Sequence, residues 1–142
     1  MGGATKLRLL DVLSGTAREL VDALDADACG MSRAIGEMLI LVVEYAENGR
    51  TIQLGQGYLV SDYPETTRVL ADRVPRALTL DDADVDGAEA AVLRELGYGS
   101  LLMLPLVLNG ELWGLVEVFR TDTRPFSDDE VRTARDLLER AL

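Results

Sequence analysis

Glu117 sits inside the apolar run "LPLVLNGELWGLVEV", which extends from Leu104 to Val118. A carboxylate buried in such a strand must be paired or hydrogen-bonded, because leaving it bare costs several kcal/mol. Three readings follow: an internal ion pair, exposure at a sheet end, or a polar anchor lining a ligand cavity. Asn109-Gly110 divides the run into two strands and is the strongest short-range hairpin signal. A two-residue turn there pairs Leu108 with Glu111 and Glu117 with Leu102. It places Trp113, Leu115 and Phe119 on the face that carries Glu117. In an earlier hairpin, pairing Ala34 with Leu39 puts Cys29, Met31 and Arg33 on one face with Ile40, Val42 and Glu44.

Other chemistries are poorly supplied. Histidine is absent and Lys6 is the sole lysine, so Ser32 and Ser100 lack a base to activate a nucleophile. Cys29 is the sole cysteine, which forbids an intrachain disulfide and reads as a small core residue. Asp82, Asp84, Asp86 and Gly87 spell the first half of a calcium loop. Its bidentate glutamate position is Leu93, so the stretch reads as a solvated acidic loop ending in a helix cap. Gly55-x-Gly57 is too short for a dinucleotide fingerprint. The net charge of −11 repels phosphate backbones, so no nucleic acid partner is expected. The longest apolar run, Met38 to Val43, is too short to cross a bilayer, and the N-terminus has no signal-peptide pattern. A cytoplasmic location is the expectation.

The elements that would hold these residues fit one domain over residues 1–142. A helix is predicted near Lys6 to Leu24, with Leu10, Leu13, Ala17, Leu20 and Leu24 as its apolar stripe and Gly15 as a weak point. Strands are predicted at Ala28–Ile35 and Met38–Ala46, joined by a turn at Gly36-Glu37. A second turn, Glu47 to Arg50, leads into an extended stretch over residues 51–60. Asp62 and Glu65 around Pro64 predict a capped helix to about Arg73, followed by a strand at Ala77–Leu80. Asp86 and Glu89 open the next helix, which stops near Gly97. The hairpin covers Ser100 to Arg120. Ser127 and Glu130 cap the last helix, with Phe126 and Val131 as a hydrophobic staple. That helix reaches the final residue without a stop signal, which predicts a segment cut from a longer protein or a helix end paired with a partner. The order predicts an α+β fold with a mostly antiparallel sheet.

The stretch "LGYGSLLMLPLVLNGELWGLVEVFRTDTRPFSDDEVRTARDLLERAL" resembles the C-terminal half of a GAF domain. "ALDADACGMSRAI" resembles the first helix-to-strand junction of that family, and "SDYPETTRVL" resembles a helix start found in bacterial members. The resemblance implies an antiparallel sheet of about six strands. The N- and C-terminal helices would pack on one face, and a loop- and helix-covered pocket would lie on the other.

The resemblance also implies a non-enzymatic sensory module. Such a module binds a small molecule, dimerises through its terminal helices and signals to a downstream output domain. A ligand-free dimerisation module is the alternative. A free methionine sulfoxide reductase is the enzyme-class rival, though one cysteine cannot form its internal disulfide. No haem or bilin is expected, since there is no histidine and Cys29 falls away from the usual attachment sites. The motifs of cyclic-nucleotide-binding members match only in part. In a sheet of this kind the first strand lies between the second and the last, which brings Arg33, Glu44 and Glu117 to one face. Tyr58, Tyr63 and Arg68, on the covering loop and helix, are expected to line the same cavity.

Overall fold

The computed structural model describes residues 2–47 and 55–142. Most of the turn expected over 47–50, and the stretch 51–54 after it, lie outside the described residues. Among the described residues the α-helices and strands follow one another as α1 (Gly2–Ala23), β1 (Ala28–Ile35), β2 (Met38–Ala46), β3 (Gly57–Leu59), α2 (Pro64–Asp72), β4 (Arg76–Thr79), α3 (Gly87–Leu96), β5 (Ser100–Leu108), β6 (Glu111–Arg120) and α4 (Asp128–Ala141). The strands form one antiparallel sheet in the order β3-β2-β1-β6-β5-β4.

Local chemistry explains most boundaries. β1 and β2 begin and end where the sequence places them, around a turn with Gly36 at positive φ. Asn109 and Gly110 take φ of 52° and 79°, the left-handed pair that a tight hairpin turn requires. The Asp86 carboxylate accepts from the Ala88 and Glu89 amides, and Gly97 closes α3 at φ 82°. Ser127 and Glu130 form a reciprocal capping box on α4.

Two elements differ from expectation. α1 passes through Gly15 unbroken, held by its buried stripe of Leu13, Ala17 and Leu20. α2 has no Asp62 cap. Tyr63 is its N-cap without a side-chain bond, Pro64 supplies the pre-set first turn, and Glu65 pairs with Arg76 at 2.7 Å.

The sheet separates two apolar layers. On one face, Leu13 and Leu20 of α1 and Ala134 and Leu138 of α4 pack against Met31, Val116 and Val118. On the other, Val69 of α2 and Leu93 of α3 pack against Leu39, Leu41, Leu115 and Phe119.

Two bulges reset the faces. On β6, Val107 pairs with Leu112 but Leu106 pairs with Gly114, so Trp113 is the extra residue. Glu117 therefore opposes Met103 rather than Leu102, and Trp113 turns to the terminal-helix face. On β2, Val42 is the extra residue between the Met31–Val43 and Ser32–Leu41 pairs. Gly114 meets β1 so closely that an added Cβ would lie 1.8 Å from the Ser32 carbonyl oxygen.

At the end of β6, Arg120 is fully buried and ties the strand to both terminal helices. Its Nη2 donates to the Leu24 carbonyl at 2.5 Å and to the Glu130 carboxylate, and Nη1 donates to the Pro125 carbonyl at 3.1 Å. The guanidinium lies 4.0 Å from the centre of the Phe126 ring.

Candidate functional site

A cavity of about 350 Å³ lies on the sheet face opposite the terminal helices. Its floor is Gly30 and Leu41 on β1 and β2, with Leu115, Glu117 and Phe119 on β6. Its cover comes from β3, the start of α2, and α3. Leucine and phenylalanine supply apolar walls, while Glu117, Glu89, Thr66 and the tyrosines supply polar ones.

The floor follows from the register. Glu117 is directly opposite Gly30, and Gly30 is opposite Glu44. An added Cβ at Gly30 would lie 3.1 Å from Cδ1 of Leu41, so the Leu41 side chain covers this step of the floor. Glu117 is half-buried, and its carboxyl lines the cavity. Among the described residues it forms no salt bridge and no hydrogen bond. Burial first, and then the nearby Glu89 carboxylate, push its pKa from 4.5 up to about 8.

Glu89 is the second carboxylate, and it comes from α3. It is 5% exposed. Its Oε1 accepts from the Thr66 amide and from the Thr66 hydroxyl, both at 3.1 Å. Burial raises its pKa, and those two bonds oppose the rise. The sequence marks Glu89 only as a capping partner of Asp86. The stronger signal is its place in an apolar slot of α3, the same anomaly that marks Glu117.

Three tyrosines complete the lining. Tyr58 and Tyr63 meet edge to face, with ring centres 6.0 Å apart. Tyr98 stacks on Phe119 at 4.8 Å. Burial raises the pKa of Tyr58, and Glu117 adds to the rise. Tyr63 is raised as well, burial again leading. Ser32 points toward this face from β1. Its hydroxyl is buried and has no hydrogen-bond partner among the described residues. It lies close enough to the Tyr58 phenol to favour the ionised form, though without the geometry of a hydrogen bond.

The six residues singled out from the sequence divide evenly. Tyr58, Tyr63 and Glu117 line the cavity. Arg33, Glu44 and Arg68 are not among its lining residues. Arg33 lies on the terminal-helix side, 4.9 Å from the centre of the Trp113 ring, and donates to the Trp113 carbonyl at 3.5 Å. The shared face expected for Arg33 and Glu117 is therefore not formed. Cys29 and Met31 flank Gly30 on β1, so Arg33 shares their face while Glu117 shares the face of Gly30. Glu44 is half-buried and two strands from Glu117. Arg68 is exposed on α2.

Cys29 is buried on the terminal-helix side, where desolvation holds the thiol protonated. Asp82 accepts from the Thr79 amide at 2.9 Å, and Asp86 caps α3, so these two carboxylates of the acidic loop serve the backbone. No helix among the described residues is long and apolar enough to cross a membrane.

The architecture is thus a six-stranded antiparallel sheet with terminal helices on one face and a covered cavity on the other. The GAF domain model matches residues 8–141, and the chain belongs to that family. No curated protein matches the chain.

Among solved structures, the phycoerythrobilin-bound GAF domain of a cyanobacterial phytochrome aligns at TM-score 0.81 and 20% identity. The match covers 97% of this chain and 85% of that one. The phycocyanobilin-bound GAF domain of a cyanobacterial phytochrome aligns at 0.79 and 20%, covering 97% and 86%. The GAF domain of a two-component sensor histidine kinase from Bacillus halodurans aligns at 0.75 and 18%, covering 91% and 87%. These matches establish the fold. They also correct the expectation that bilins can be set aside: two of the three structures hold a bilin in this fold. The missing histidine and the position of Cys29 are no ground for that exclusion.

Proposed function

We propose that this chain is a regulatory, non-catalytic module that binds a small molecule between the sheet and the α2–α3 cover. One observation carries the reading: Glu117 projects into a formed cavity with no partner among the described residues. Natural folds rarely leave a buried polar group unsatisfied, and such exceptions concentrate at functional sites.

The route outward runs along β6. Glu117 faces the cavity, its neighbours Val116 and Val118 face the terminal helices, and Arg120 bonds to both of those helices. A ligand that favours one arrangement of the α2–α3 cover shifts the balance only by its differential affinity for the two states. The terminal helices then hand that shift to an output domain, and dimerisation through them is the matching assembly.

The test is a thermal-shift screen against amines, purines, amino acids, cyclic nucleotides and linear tetrapyrroles. A ligand at 100 times its Kd stabilises by about 2.7 kcal/mol. A saturable shift, weakened by Glu117→Gln, supports the reading. No shift across the panel, with a stable dimer by light scattering, supports a ligand-free dimerisation module instead.

A further inference from the structure

The cavity also constrains the chemical class of its ligand, and this step rests on the sensory reading above. We infer that the site takes a compact organic cation, an ammonium or amidinium group on a small apolar body. Four observations converge on that class.

The first is the sign of the charge. Glu117 and Glu89 point inward, Glu95 stands at the rim, and no lysine or arginine is among the described lining residues. An anion entering this space meets the buried Glu89 carboxyl and the half-buried Glu117 carboxyl, with no countercharge among the described lining residues. Arg33 and Arg68, the arginines the sequence offers to this cavity, do not line it.

The second is unused acceptor capacity. Both donors to Glu89 fall on Oε1, and Glu117 has none among the described residues. Ionised carboxylates accept up to about four hydrogen bonds each, so the pair asks for donors.

The third is aromatic. Tyr58, Tyr63 and Tyr98 border the same space, and ring faces attract cations most strongly where water is excluded.

The fourth is size and steering. About 350 Å³ lies at the small end of the roughly 300–1,000 Å³ range of ligand pockets. Leu41, Leu115 and Phe119 accept an apolar body. The net charge of −11 draws cations toward the molecule from a distance.

Binding of this kind displaces a proton. Glu117 faces Glu89 and Glu95 from α3, Tyr58 from β3, and Tyr63 and Tyr98 at the edges of the cover. Cys29 lies across the sheet. None of these groups supplies a positive charge, so an arriving cation is what favours the ionised carboxylate. Affinity for a cation then rises from pH 6 to pH 8.

The experiment titrates the isotopically labelled chain with three probes of one shape: benzylammonium, benzyl alcohol and benzoate. Nuclear magnetic resonance shifts at Tyr58, Leu115 and Glu117 report binding at the cavity. The inference expects benzylammonium to bind about tenfold or more tightly than benzyl alcohol, with benzoate weakest. The Glu117→Gln variant should lose that preference while still binding benzyl alcohol.

Equal binding of amine and alcohol, or tightest binding of benzoate, overturns the cation assignment and leaves the cavity reading standing. Absence of cavity shifts with all three probes overturns both. Because the wild-type series carries the comparison, the test does not depend on how the variant folds.

Discussion

Glu117 and Arg120 lie three residues apart on β6, and the fold treats their charges in opposite ways. Arg120 is buried among the terminal helices with carbonyls and a carboxylate on its donors. Glu117 faces the cavity with no such partner among the described residues. A charge kept for architecture is compensated within the chain, because an uncompensated one is strongly destabilising. A carboxyl left without a partner beside an open volume, and gaining its charge only near pH 8, fits one end of an intermolecular contact.

Replacing Arg120 breaks the compensated side. The Arg120→Met variant leaves the Leu24 and Pro125 carbonyls and Glu130 without their donor. Urea unfolding should show a loss of about 3–5 kcal/mol, nearer 3 because Glu130 is partly exposed and can rehydrate.

Replacing Glu117 should act in the other direction. Its folded pKa is raised from 4.5 to about 8, so the folded state holds the proton more tightly than the unfolded chain. Its contribution to stability is therefore full below about pH 4.5. It declines as pH rises and is lost by about pH 8. The Glu117→Gln variant should flatten that slope and unfold at higher urea at pH 8, a gain of a few kcal/mol and at most about 4–5. A fall in stability at pH 8 would instead mean that Glu117 is held by a partner in the chain.

The smallest effect sharpens the same contrast at the surface. Asp86 satisfies two amides of α3, whereas Asp62 does not cap α2. Chemical denaturation should register about 1 kcal/mol lost for Asp86→Ala, and less than about 0.5 for Asp62→Ala.

Much of this architecture is legible in the residues. Gly36 and Asn109-Gly110 fix the two hairpins because few other residues tolerate those backbone angles. The Ser127–Glu130 box and the Asp86 cap fix the starts of two helices. Glu117 announces itself as a carboxylate in an apolar strand.

The bulges at Val42 and Trp113 leave no comparable mark. An extra residue in a strand is chosen by packing across the sheet, here by the close approach of Gly114 to Ser32, and periodicity cannot register it. One such bulge carries Trp113 to the face where Arg33 meets it. The β1–β6 register, which sets Gly30 opposite Glu117, puts Arg33 on the other face and removes the ion pair the sequence offers to Glu117. Arg120 goes unremarked for a related reason. A charged residue at a strand end looks solvated until the chain beyond it, from Asp122 to Pro125, folds back over it. Glu89 was legible, since its slot on α3 is apolar, but its cap role beside Asp86 disguised it.

The most direct measurement is a carbon-detected resonance titration of the Glu117 carboxyl in the ligand-free chain. A midpoint of about 8 is the predicted result, the signature of a carboxyl held in the cavity without a positive partner. A midpoint at or below the ordinary 4.5 would contradict the account, showing Glu117 to be solvated or ion-paired and the cavity to lack its bare anchor.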